Sequence, residues 1–176
     1  MKALLFPGQG VQKVGMIDFL LETNPETKDL LTQTSDVLDF DLLELVKNGP
    51  ENKLNLTEYS QPAILAASLA IAKNKASYFD ASITAGLSLG EYSALVFAEC
   101  IEFKEAIRLV NARGKLMQNA VPEGTAGMLV VLNMPLTVVR ETIEKIRNSG
   151  EVIDFSTDNA EGVSVLAGTN SAIDAT

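Results

Sequence analysis

The sequence predicts an α/β fold, with a parallel-sheet, hydrolase-like large domain over residues 1–124 and an incomplete ferredoxin-like small subdomain over residues 125–176. Three observations predict it. Short β-type runs alternate with helical stretches as far as Val121, the pattern of a parallel sheet with covered faces. Gly86-Leu87-Ser88-Leu89-Gly90 stands between a β run and a helix, the setting of a strand–turn–helix elbow. After Pro122 the order changes to strand, helix, strand, strand and the start of a helix, so the chain is expected to end inside the small subdomain.

Taken in order, Lys2 to Phe6 is an apolar run stopped by Pro7-Gly8-Gln9-Gly10, which predicts a buried parallel strand and a tight turn. Asn24 to Val46 has helical spacing, with a break at Asp39 to Asp41. Lys47 to Asn55 is polar and turn-rich. Gln61-Pro62 puts proline near the first position of a helix over Ala63 to Lys75, apolar nearly all round and therefore buried. Ser82 to Ala85 is a β run, Glu91 to Ala98 a helix, and Phe103 to Val121 a second helix with Ala106, Val110, Met117 and Val121 on one side. Beyond the Pro122-Glu123-Gly124-Thr125 turn, Met128 to Leu132 is a strand, Leu136 to Arg147 a helix, and Val152 to Ser156 and Val163 to Ala167 are strands. Asn170-Ser171 begins a helix with Asn or Ser as its N-cap.

Composition narrows the function. A net charge of −9 argues against a binder of nucleic-acid phosphates, which would need clustered Lys and Arg. No apolar run reaches the roughly 18 residues of a membrane span, and the first residues lack a signal-peptide pattern. A cytoplasmic location is expected, with a plastid one left open. Cys100 is the only cysteine, so no intrachain disulfide can form, and no metal site is expected. The chain contains no histidine at all, so any mechanism that needs imidazole must obtain it from elsewhere.

Ser88 is the candidate nucleophile. Flanking glycines permit a sharp turn, and a hydroxyl at a helix start faces unpaired N–H groups that favour an oxyanion. An ordinary Gly/Ser turn is the alternative. Arg113 falls three residues after Val110 and four before Met117, on the edge of an apolar stripe. Its guanidinium either snorkels to water over a packed stem or forms a fork for a ligand carboxylate. The Pro7–Gly10 loop, at the end of the first strand, either presents a backbone N–H to an oxyanion or is a plain turn.

Together these pieces resemble the malonyl-CoA:acyl carrier protein transacylase family. The matching residues are F-P-G-Q-G at Phe6 to Gly10, Q-P-A at Gln61 to Ala63, G-L-S-L-G-E-Y-S-A-L at Gly86 to Leu95 and R-G-K-L-M-Q at Arg113 to Gln118. P-E-G-T at Pro122 to Thr125 and N-A-E-G-V-S-V-L-A-G at Asn159 to Gly168 follow in the same order. The resemblance implies that the small subdomain is inserted in the large one, that Ser88 becomes acylated, and that backbone N–H groups of Gln9 and Leu89 form an oxyanion hole. It further implies that Arg113, with Gln61, Met117 and Asn159, binds the substrate. In the family a malonyl group passes from malonyl-CoA to serine and then to the phosphopantetheine thiol of acyl carrier protein, with no cofactor.

Three departures stand out. Leu87 occupies a position where the family commonly has histidine, and Thr157 to Glu161 is more acidic than the usual stretch, so only Asn159 carries over there. The family's general-base histidine belongs to a later motif, and this chain reads as the N-terminal portion. Two other readings compete. An acyl hydrolase on the same scaffold would use Ser88 but would gain nothing from Arg113 against a neutral acyl chain. A non-catalytic docking module for the carrier protein would explain the missing histidine.

Overall fold

The computed structural model describes residues 2–75, 81–122 and 124–176. It contains two compact units, Met1–Gln118 and Asn119–Thr176, so the division falls a little before the turn signals at 122–125. Gly124 and Thr125 go with the second unit because Asn170 binds both: its Nδ2 donates to the Gly124 carbonyl and its N–H to that of Thr125. Glu123 of the P-E-G-T stretch lies outside the described residues.

In the first unit β1 (Ala3–Phe6) pairs in parallel with β2 (Ile83–Gly86), Phe6 opposite Gly86. Between them come α1 (Asp18–Thr23), α2 (Pro25–Ser35), α3 (Leu42–Asn48), α4 (Glu51–Leu54) and α5 (Thr57–Asn74); α6 (Leu89–Phe97) and α7 (Phe103–Gln118) follow. The break expected at 39–41 separates α2 from α3, where Asp41 caps α3 by accepting from Glu44 N–H. The 47–55 stretch is not all turn, since it holds the end of α3 and the short α4. β1 is parallel as expected but not buried: Leu5 is 71% exposed and Ile83 49%. Alternate residues of the pair, Leu4 and Phe6, pack with Ala72, Ala94 and Phe97, which accounts for one face only.

α5 is the core helix. Ala63 to Ala67 and Leu69 are buried against Leu31, Leu45, Leu54, Leu89, Ile107 and Val110. It begins at Thr57, not beside Pro62, so Pro62 sits inside it. A proline there has no N–H for the carbonyl of residue 58. Asn111 on α7 replaces it, its Nδ2 donating to the Glu58 carbonyl at 3.0 Å. Gln118, about two turns further along α7, accepts the Thr57 N–H at 3.1 Å and so caps α5. Gly114 between them lets the backbones touch, since a Cβ there would lie 2.5 Å from the Thr57 carbonyl oxygen. α7 ends at Gln118, so Val121 lies beyond the helix, 49% exposed. Met117 is 46% exposed and does not continue the buried stripe of Ala106 and Val110.

Asn111→Ala is expected to destabilise the protein by about 1–3 kcal/mol in urea unfolding, by stranding the Glu58 carbonyl. In a Pro62→Ala background, where residue 62 regains its N–H, the same change is expected to cost much less. Equal costs in the two backgrounds would refute this account of the proline.

The second unit runs β3 (Ala126–Leu132), α8 (Leu136–Asn148), β4 (Ile153–Ala160), β5 (Val163–Thr169) and α9 (Asn170–Asp174). Its strands form an antiparallel sheet in the order β3-β5-β4. Val139, Ile143 and Ile146 of α8 pack on Ile153, Leu166 and Ala172. Thr169, rather than Asn170 or Ser171, caps α9 by accepting from Ala172 N–H. Register shifts leave Ser156 and Asn159 unpaired on β4, so Asn159 stands at a bulge.

Candidate active site

Ser88 lies between β2 and α6 with φ 53° and ψ −102°, in a region that a residue with a side chain rarely adopts. The two flanking glycines are required by contact. A Cβ on Gly86 would fall 1.9 Å from the Gly90 carbonyl carbon, and one on Gly90 would fall 2.3 Å from the Phe6 carbonyl oxygen. The chain therefore turns from strand to helix with no room to spare, and the Ser88 side chain is left exposed at the head of α6. It does not cap the helix. Gly90 and Glu91 N–H donate to the Leu87 and Ser88 carbonyls, and Leu89 N–H, the first of the helix, has no acceptor within it; the positive end of the helix faces the serine.

The loop after β1 lies against this elbow. Leu87 N–H donates to the Phe6 carbonyl at 3.2 Å, and a Cβ on buried Gly8 would stand 3.0 Å from the Leu87 carbonyl oxygen. Gln9 follows immediately, and its side-chain Nε2 reaches Thr57 Oγ1 at 3.4 Å. The backbones of Gln9 and Leu89, paired in the expectation of an oxyanion hole, thus belong to two segments in direct contact.

Arg113 does not end in bulk water. Its Nη2 donates to Ser88 Oγ at 2.7 Å and its Nη1 to Gln61 Oε1 at 2.8 Å. Gln61 is fully buried on α5, and its Nε2 points to Met117 Sδ at 3.3 Å. The amide is therefore held at both ends, with its oxygen toward the guanidinium. Ser88, Gln61, Arg113 and Met117 form one contiguous cluster. Asn159 belongs to the second unit and is exposed on β4.

Three residues that local spacing does not single out support this cluster: Asn111, Gly114 and Gln118 lock α7 onto the first turns of α5, and so set Arg113 level with Gln61. The R-G-K-L-M-Q stretch contains Gly114 and Gln118, but the partner of Gln118 is 61 residues away, and Asn111, outside the stretch, has its partner 53 residues away. Chemically, the cluster offers a hydroxyl at a helix N-terminus beside a permanent cation. It lacks a base: the hydrogen-bond partner of Ser88 Oγ is a guanidinium, which does not accept protons.

Among the described residues no helix is long and apolar enough to cross a membrane, and no group of three or more His, Cys, Asp or Glu could hold a metal ion. Residues 3–175 match the acyl transferase domain family. The chain is 43% identical over 175 residues to the malonyl CoA-acyl carrier protein transacylase of Haemophilus influenzae and 39% identical to that of Staphylococcus aureus. It covers 98% of itself and 56% of each relative, so it spans little more than half their length. Among solved structures, an acyl carrier protein S-malonyltransferase from Vibrio cholerae is 42% identical with a TM-score of 0.87. A malonyl-transacylase in complex with its type II PKS acyl-carrier protein is 43% identical with a TM-score of 0.89.

Proposed function

Since the chain belongs to the acyl transferase domain family, we propose that it carries the acyl-accepting part of a malonyl-CoA:acyl carrier protein transacylase, serving fatty-acid or polyketide synthesis. Ser88 Oγ attacks the malonyl thioester carbonyl, and the tetrahedral oxyanion rests on the N–H groups of Gln9 and Leu89. The coenzyme A thiol leaves, and the malonyl ester on Ser88 is then taken by the phosphopantetheine thiol of acyl carrier protein. No cofactor, nucleic acid or membrane takes part. On this reading the first unit is the hydrolase-like large domain. The second is an inserted ferredoxin-like subdomain, supported by its β-α-β-β-α order.

The observation that carries the reading is the position of the guanidinium. A malonyl group bears its free carboxylate two bonds from the carbon that Ser88 attacks, so a cation that touches Ser88 Oγ is within reach of it. With Nη1 committed to Gln61, Nε and Nη2 remain for the ligand once Ser88 releases Nη2. Carboxylate binding would thereby free the nucleophile. A hydrolase of neutral acyl chains would gain nothing from this fork. The absence of histidine is the one observation that favours a docking module, which would leave Ser88 unacylated.

Arg113→Ala tests the reading, in the chain supplemented with the part of the Haemophilus influenzae relative that follows the matched region. Malonyl transfer is expected to fall relative to acetyl transfer by roughly ten- to several-hundred-fold, the loss of one or two charge-assisted hydrogen bonds. Arg113→Lys, which keeps the charge but loses the fork, is expected to fall between. An unchanged malonyl-to-acetyl ratio would reduce Arg113 to a support for α7.

A further inference from the structure

The geometry points to Gln12 as a positioning residue for the oxyanion-hole loop, an inference that rests on the acyl-transfer reading above. The loop residue next to Gln9 is Gly10, at φ +109°, and a Cβ there would meet nothing within 4 Å. Gly8, before Gln9, is buried against Leu87, but no such packing limits the backbone at Gly10, just after it. Glycine in open space has wide freedom, so some other contact must hold it. Gln12 supplies that contact. Its Oε1 accepts the Gly10 N–H at 2.9 Å, and its Nε2 donates to Asn55 Oδ1 at 2.9 Å.

Both ends of one amide are thus engaged, which sets its orientation and ties the loop to a point 43 residues away in sequence. Asn55 lies between α4 and α5, two residues before Thr57, whose hydroxyl accepts from the Gln9 side chain. Thr57 N–H in turn is held by Gln118 at the end of the helix that carries Arg113 and Met117. The same junction therefore braces the oxyanion loop on one side and the carboxylate-binding helix on the other. Gln12 also removes a competitor. The Gly10 N–H, next to that of Gln9, is occupied and so does not compete for a developing oxyanion.

A residue with this role affects the transition state more than substrate binding, because the oxyanion exists only after attack. In the supplemented chain, Gln12→Ala is expected to lower kcat for malonyl transfer about ten- to a hundredfold. That is a part of the 10²- to 10³-fold typical of losing an oxyanion donor outright. KM for malonyl-CoA is expected to stay within about twofold. Gln12→Glu keeps the acceptor for Gly10, and the Asn55 amide can turn to donate to the new carboxylate, so it is expected to recover most of the rate. Hydrogen exchange at Gly10 N–H in the unsupplemented chain gives a second readout, faster in Gln12→Ala and close to the original in Gln12→Glu.

If the supplemented chain with Gln12 in place fails to load Ser88, the acyl-transfer reading falls. If it loads Ser88 and Gln12→Ala matches it in kcat, the positioning role falls while that reading stands. A Gln12→Ala variant that loses KM and kcat together with its thermal stability, unrescued by Gln12→Glu, would also overturn the role, since that is the signature of general support.

Discussion

Malonyl-CoA is expected to place a single malonyl group on Ser88 when the chain is supplemented with the part of the Haemophilus influenzae relative that follows the matched region, and Ser88→Ala is expected to abolish the adduct. The competitor is Cys100, which is exposed and carries the intrinsically stronger nucleophile. Its Sγ donates to the Ala98 carbonyl at 3.6 Å, an acceptor that would repel an oxyanion. Ser88 has the helix N-terminus and a cation at 2.7 Å. Intact mass followed by peptide mapping locates the group. An adduct on Cys100, or one that survives Ser88→Ala, would remove serine from the mechanism.

The unsupplemented chain is expected to transfer malonyl groups about 10²- to 10⁴-fold more slowly than the supplemented one, the usual worth of general-base assistance. A serine hydroxyl must lose its proton as it attacks, and here its neighbour is a donor. Arg113 can stabilise the alkoxide once it forms, but it cannot take the proton. With no histidine in the sequence, an imidazole base has to come from outside these residues. Transfer by the purified chain at a rate close to that of the supplemented form would identify a base of another kind. A search among the carboxylates nearest the elbow, beginning with Glu91 in the first turn of α6, would then follow.

The elbow was legible because its demands are local. Two glycines that cannot accept a Cβ, set between a β run and a helix, announce a sharp turn wherever they occur, and the contacts at Gly86 and Gly90 have that origin. Arg113 was legible in part: helical spacing put it at the edge of an apolar stripe, without saying what its head would meet. What spacing could not reveal was the far partner. Pro62 read as a helix start because the local rule for proline takes no account of an asparagine on another helix that can satisfy the orphaned carbonyl. The start of α5 was therefore misplaced. With it were lost the roles of Asn111 and Gln118, and of Asn55 and Thr57 at the junction. Burial of β1 was overestimated for a related reason. An apolar run looks the same whether one face or both are covered, and Leu5 and Ile83 lie on a face that Leu4 and Phe6 do not share.

The backbone at Ser88 sets selection for folding against selection for chemistry. A positive φ of 53° costs a serine on the order of 1–3 kcal/mol that a glycine would escape. The hydroxyl does not cap α6 and, among the described residues, is bound by Arg113 alone, so the fold gains little from keeping it. A lineage released from the need for acyl transfer would drift toward glycine at this position and become more stable for it. On the acyl-transfer reading, serine stands there for the reaction and not for the architecture.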